Sequence, residues 1–297
     1  MKQRIQKSKL FMDTVVHIDV FTEMAEGEAE ARIDRAFNAF RMVEQTCSRF
    51  TPDSELMRAC KVVGVPVPVS PYVYEPLKFA LAFAEQTGGL FDPAIGGTME
   101  KLGFNRHYLS GKLIDSPSAD SVSYRDVVLD DQERTLRLRK PLVIDLGAVA
   151  KGFAIDLAAG ELKPFERFAV NAGGDLFAGG SDDLRNVWKI GIRHPHHEDR
   201  IVETVEVSNE AVCTSGSYER VSPVRKGVHH IVDPRTGTSA GDWTSCSVIA
   251  PYAMMADAFS TAAFLLGTGE GEAFLERAGL KGVLVTPELT VMKIGGI

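Results

Sequence analysis

The chain has 297 residues, 44% hydrophobic and 25% charged, an ordinary globular composition long enough for one large domain or two modest ones. A formal charge of −7 argues against a nucleic-acid-binding surface. No run of about 18 apolar residues occurs, which excludes a helical membrane span.

The first residues, MKQRIQKSKLFMDTVV, are basic but lack an apolar h-region and a small-residue cleavage site. They read as the start of a soluble, cytoplasmic protein, although a chain already trimmed of an export signal would look the same. Leu10, Met12, Val16, Ile18 and Val20 alternate as on one face of a strand. Ile33, Phe37, Phe40 and Val43 then fall at helical spacing. SRFTPDSEL is turn chemistry before a short helix, with Asp53 or Ser54 as its cap. The prolines of KVVGVPVPVS forbid a helix interior, and EPLKFALAFAEQTGG is a helix stopped at Gly88-Gly89. SGKLIDSPSADS (110–121) is a surface loop, and SYRDVVLDDQERTLRLRK a hairpin around Asp130–Glu133. LVIDLGAVAKGFAIDLAAG reads as a strand, a glycine turn and a helix. Six strand-like stretches follow, from RFAVNAGG to SCSVIA, and two helices and GVLVT close the chain. Strict βαβ alternation fails after residue 165, so the fold class is α+β with mostly antiparallel sheet in a single domain, 1–297. Cys47, Cys60, Cys213 and Cys246 are scattered without a CxxC and read as free buried thiols.

Several stretches could carry chemistry. In DLGAVAKG (145–152) Gly147 permits a sharp turn, the helix start offers free amides to a phosphate, and Lys151 adds a charge. The spacing fits neither a dinucleotide fingerprint nor a P-loop, and a plain turn with a solvated lysine stands beside the anion-site reading. NAGGDLFAGG flanks Asp175 with glycine pairs, as a tight hairpin or a close backbone approach does. HHIVDPRTG offers His230 as a general base near neutral pH, with a structural histidine as the other reading. HPHHE (194–198) reads as a solvated loop and not a metal site. In MMADAFSTAAFLLG (254–267), Asp257 sits in an apolar run, where a lone carboxylate is costly. On a helix Asp257 and Thr261 share a face, a hard-oxygen pair suited to Mg²⁺. The alternative makes Asp257 the helix N-cap.

Taken in order, FMDTVVHI, SRFTPDSEL, TGGLFDPAIG, DLGAVAKGFAID, VNAGGDLFAGG, WKIGIRHP, CTSGSYER, HHIVDPRTG and SVIAPYAMMADAFSTAAFLLG resemble the ApbE family of FAD:protein FMN transferases, over about residues 11–267. The resemblance implies an ApbE-like, T-fold-related α+β architecture of antiparallel sheets with packed helices. It implies an enzyme that splits FAD, attaches FMN through a phosphoester to a Thr or Ser of an acceptor flavoprotein, and releases AMP. Its Mg²⁺ ligands fall on Asp257, Thr261 and the backbone carbonyl of Ala148. Its flavin-nucleotide contacts fall on Met12, Ser48, Phe50, Asp92, Ala148, Lys151 and Ile231, and its base on His230, with Asp257 counted among the catalytic residues. Where members carry Met-Gly-Thr, this chain has Met12-Asp13-Thr14; where they carry Tyr-Arg-Pro-Asp-Ser, it has Phe50-Thr51-Pro52-Asp53-Ser54. Two rival functions remain at this point: an FAD pyrophosphatase with water as acceptor, and a non-catalytic flavin binder.

Overall fold

The computed structural model describes residues 3–180 and 187–297. In chain order the elements are β1 (Gln3–Phe11), β2 (Thr14–Thr22), α1 (Glu26–Cys47), α2 (Glu55–Cys60), β3 (Val67–Pro68), α3 (Pro71–Gln86), α4 (Gly96–Lys101), β4 (Val127–Asp130) and β5 (Thr135–Leu138). There follow α5 (Ala150–Leu162), β6 (Arg167–Ala172), β7 (Asp175–Gly180), β8 (Trp188–His194), β9 (His197–Val207), β10 (Glu210–Gly216), β11 (Val232–Asp233) and β12 (Thr238–Ser239). The last elements are β13 (Ser245–Ala250), α6 (Ala253–Leu266), α7 (Glu270–Arg277), β14 (Lys281–Val285) and β15 (Val291–Ile294). The chain falls into two compact units, one of Met1–Arg41, Lys151–Gly216 and Gly241–Ile297, the other of Met42–Ala150 and Ser217–Ala240.

The first unit is built on an eight-stranded sheet in the order β1-β2-β6-β7-β10-β13-β14-β15, and every neighbouring pair in it is antiparallel. The expected α+β class with antiparallel sheets is what is found. One expectation is corrected at the start. KLFMDTVVHIDV is not one strand but the turn and arms of a hairpin. Met12 and Asp13 both have positive φ (52° and 63°), the pattern of a type I′ connection, which suits the right-handed twist of the arms. Asp tolerates that left-handed position better than most residues. The alternation holds on the second arm, where Val16, Ile18 and Val20 are buried, while Leu10 on the first is 52% exposed.

Helix α6 packs on β10 and β13 and against α7. It is apolar on nearly all sides because it is covered on nearly all sides. A second cluster, with Leu176, Ile192, Val205, Val212 and Ile249, joins the sheet to the β8–β9 hairpin. The HPHHE histidines sit at the turn of that hairpin, His194 ending β8 and His197 starting β9, as a solvated turn predicts.

The second unit holds the three-stranded sheet β3-β5-β4 and the short pair β11-β12. β4 and β5 form the expected hairpin. Ser54 is the cap of α2, its Oγ accepting the Met57 amide at 3.1 Å. Gly88 and Gly89, both at positive φ, follow the end of α3 as expected. The expected strand before α5 is absent. Residues 142–146 have no ladder partners, and the Asp145 amide is satisfied by the Pro93 carbonyl instead. All four cysteines are free and buried, and burial pushes the Cys47 thiol up to about 12 and Cys60 to about 11.

Candidate active site

In the first unit, Lys151 stands in the first turn of α5, and Gly152 explains why that helix can lie where it does. A Cβ at Gly152 would come within 2.5 Å of the Ala253 carbonyl and the Met254 Cα, at the start of α6. The first turn of α5 therefore abuts the first turn of α6, and Asp156 completes the junction. Its two carboxylate oxygens accept the backbone amides of Ala253 (2.7 Å) and Met254 (2.9 Å). The N-cap residue, Tyr252, makes no side-chain cap, so a carboxylate from another helix satisfies the orphan donors of α6.

That arrangement removes the N-cap reading of Asp257. It stands at the fifth position of α6, beyond the cap, and is 7% exposed. Its backbone carbonyl accepts the Ser260 hydroxyl at 2.9 Å. One turn on, Thr261 Oγ1 lies 3.1 Å from Ser215 Oγ on β10, and Ser260 Oγ lies 2.9 Å from the same atom. Lys151 pairs with Asp175, the first residue of β7. Burial would pull the Lys151 ammonium down, but the carboxylates of Asp175 and Asp257 outweigh it and hold its pKa raised. Three sequence-predicted residues, Lys151, Asp257 and Thr261, thus share one locale, and Asp175 and Ser215 join them. Cys213 on β10 is fully buried beside the same charges, and burial keeps it a protonated thiol.

Among the described residues no group of three or more His, Cys, Asp or Glu could hold a metal, which removes a cage of zinc type. A buried carboxylate and a hydroxyl one turn apart, beside a protonated thiol and a cationic amine, are the hard and sparse donors Mg²⁺ takes when waters and phosphates complete its shell. The residues fit the ion. Met12 lies in the β1–β2 turn of this unit.

The second unit holds the remaining predicted residues. The histidine pair divides cleanly. His229 is 8% exposed, with Nε2 2.7 Å from the Ala240 carbonyl and Nδ1 accepting the Ile231 amide at 3.3 Å. Burial lowers its pKa. These bonds fix it as a neutral structural ring. His230 is half-buried, its amide donating to the Arg220 carbonyl at 3.0 Å and its Nδ1 3.4 Å from the same oxygen. A donating Nδ1 leaves the lone pair on Nε2, the tautomer a base requires. Ile231 is buried, 4% exposed. Asp92 accepts the amides of Ala94 (2.8 Å) and Tyr124 (3.0 Å), and burial raises its pKa. The ring of Phe50 lies under the Arg49 guanidinium at 4.1 Å. Ser48 Oγ is 3.3 Å from the Thr51 hydroxyl. Ala148 lies in the turn ahead of α5.

Sequence reasoning missed Arg49, Asp145, Asp156 and the partner of Asp175. Arg49 donates to Asp145 (2.6 Å) and to the Phe104 carbonyl (2.6 Å), and Asp145 accepts the Gly147 amide at 2.7 Å. The pair thereby braces the turn that carries Ala148. Burial would raise Asp145, but Arg49 and the Gly147 amide keep it lowered. Asp156 had a signal: like Asp257, it is a carboxylate in an otherwise apolar helical run.

A sequence profile of the ApbE family matches residues 12–284. The chain belongs to the ApbE family. The Treponema pallidum protein named FAD:protein FMN transferase is 32% identical, over 98% of this chain and 87% of its own. The protein of that name from Escherichia coli K12 is 28% identical, over 82% of this chain and 74% of its own. The crystal structure of the Thermotoga maritima ApbE protein superposes with a TM-score of 0.84 at 30% identity, covering 98% of this chain and 97% of that one. This ApbE chain has no helix, among the described residues, long and apolar enough to cross a membrane.

Proposed function

We propose that this chain is a Mg²⁺-dependent FAD:protein FMN transferase. It moves FMN from FAD to a Thr or Ser hydroxyl of an acceptor flavoprotein and releases AMP. The observation that carries the reading is the group of Lys151, Asp175, Asp257 and Thr261, two buried carboxylates against one half-buried ammonium, which leaves one negative charge for a cation. Asp257 and Thr261 would hold the ion, with the Ala148 carbonyl as a further oxygen. Bound there, Mg²⁺ neutralises charge on phosphate oxygens, the main requirement of a phosphoanhydride cleavage. Lys151 presents its remaining ammonium protons to the same phosphates. His230 accepts the proton of the incoming hydroxyl at Nε2. The P–O bond to AMP breaks as the new phosphoester bond to FMN forms. Met12, Ser48, Phe50, Asp92 and Ile231 are the proposed flavin-nucleotide contacts.

The test incubates the protein with FAD, Mg²⁺ and candidate acceptor peptides and follows AMP release together with peptide mass. Equal amounts of AMP and flavin-bearing peptide are expected. AMP with free FMN alone would make the protein a pyrophosphatase. Bound FAD without AMP would make it a binder.

A further inference from the structure

Asp175 is read from the sequence as part of a glycine hairpin, and the hairpin is real. Ala172 pairs with Asp175 across Gly173 and Gly174, both at positive φ (66° and 102°), and a Cβ on Gly173 would collide with Thr14 Oγ1. The turn has a result the hairpin does not need. It starts β7 only at Asp175 while β10 runs on past it, so the ladder between them stops at Val212 paired with Leu176. The Thr214 amide, beyond the last pair, donates 2.8 Å to Asp175 Oδ1. The other oxygen of Asp175 takes Lys151 Nζ. Asp175 is only 2% exposed, so its charge is little screened by water. The next residue of β10, Ser215, reaches Thr261 Oγ1, and the preceding one, Cys213, donates to the Ala253 carbonyl at 3.4 Å. Three consecutive residues of one strand therefore tie the Lys151–Asp175 pair, the start of α6 and Thr261 into one frame.

We propose that Asp175 is the positioning residue that sets the charge of this site: it neutralises and holds Lys151, so that the ammonium does not compete with a divalent cation at Asp257. The inference rests on the proposed metal role of Asp257. With Asp175 in place, the group of Lys151, Asp175 and Asp257 carries one net negative charge. Without its charge, the ammonium turns to Asp257 as its only carboxylate in the group and competes with the ion. The other carboxylate of this locale, Asp156, is committed to the amides of Ala253 and Met254. Asp175→Asn keeps an oxygen for the Thr214 amide and removes only the charge.

The experiment measures Mn²⁺ binding, by loss of the free-ion paramagnetic resonance signal, in the absence of nucleotide. Asp175→Asn should weaken binding about tenfold or more, and Lys151→Met should tighten it by about the same factor. The double variant, which restores one net negative charge, should return to within about threefold of the parent. Rescue by a second substitution is not what a merely structural role of Asp175 gives. If the parent binds Mn²⁺ and Asp175→Asn binds it equally well, or the double variant stays as weak as the single, the inference is overturned while the metal site stands. If Asp175→Asn does not fold, Lys151→Met decides alone, and an unchanged affinity overturns the inference. If the parent binds no Mn²⁺, the metal reading falls and takes this inference with it.

Discussion

At the scale of single residues, position within an element separates function from support. Asp257 stands at the fifth position of α6, past the cap, and is the proposed charged ligand of the cation. Asp257→Ala should therefore lower FMN transfer by about 10²-fold or more, while FAD still binds; transfer within about threefold of the parent, measured by peptide mass, would defeat the metal assignment. The two adjacent histidines should behave in opposite ways. His229→Ala removes a buried ring with two backbone hydrogen bonds and should cost about 1–3 kcal/mol of stability. His230→Ala should leave the melting temperature nearly unchanged, lowering kcat by about 10²-fold or more with a smaller effect on FAD affinity. Equal losses in kcat and affinity would make His230 a binding residue. His230 was legible as a candidate base, but nothing in the letters HH says which ring is tied to Ala240. That depends on a carbonyl eleven residues away in the chain, within reach of only one of them.

At the scale of elements, the helices and most strands were legible because each carries its own periodicity or punctuation: Ile33, Phe37 and Phe40 in α1, Ser54 at α2, Gly88-Gly89 after α3. The errors fell where the partner decides the structure. Residues 142–146 have the apolar content of a strand and no neighbour to pair with, and the run through Met12 hides a turn whose signature is two backbone dihedrals. The α5–α6 junction was equally invisible, since Gly152 and Asp156 meet Ala253 and Met254 about a hundred residues later. That junction has a pH signature. Burial pushes the Asp156 carboxyl up to about 6, and the two amide bonds lower it only in part. A carboxyl raised in the folded state contributes stability that is full below its ordinary range near 4 and is lost as pH rises through about 6. Asp156→Asn has no such loss. The melting temperature of the variant relative to the parent should therefore rise between about pH 5 and about pH 7.5. A difference that does not change with pH would show that Asp156 stays ionised throughout.

At the scale of the whole molecule, strand order is the least legible feature, and it is the one on which the site depends. β10 lies between β7 and β13, and the chain leaves it for residues 217–240, which belong to the other unit, before β13 returns beside it. No periodicity reports that neighbourhood, yet it is what brings Thr214 to Asp175 and Ser215 to Thr261. The same neighbourhood concentrates negative charge in an acidic chain, one of formal charge −7. A cation that binds only the folded site must then stabilise the fold by mass action. At a Mg²⁺ concentration about tenfold above its Kd, the gain is about 1.4 kcal/mol. For a chain of this size that is a rise of roughly 2 °C in the melting temperature, reversed by EDTA. Asp257→Ala should melt at the same temperature with and without Mg²⁺, since the substitution removes the charged ligand. If the variant keeps the increment, the stabilising ion sits elsewhere and the buried carboxylate of α6 needs another explanation.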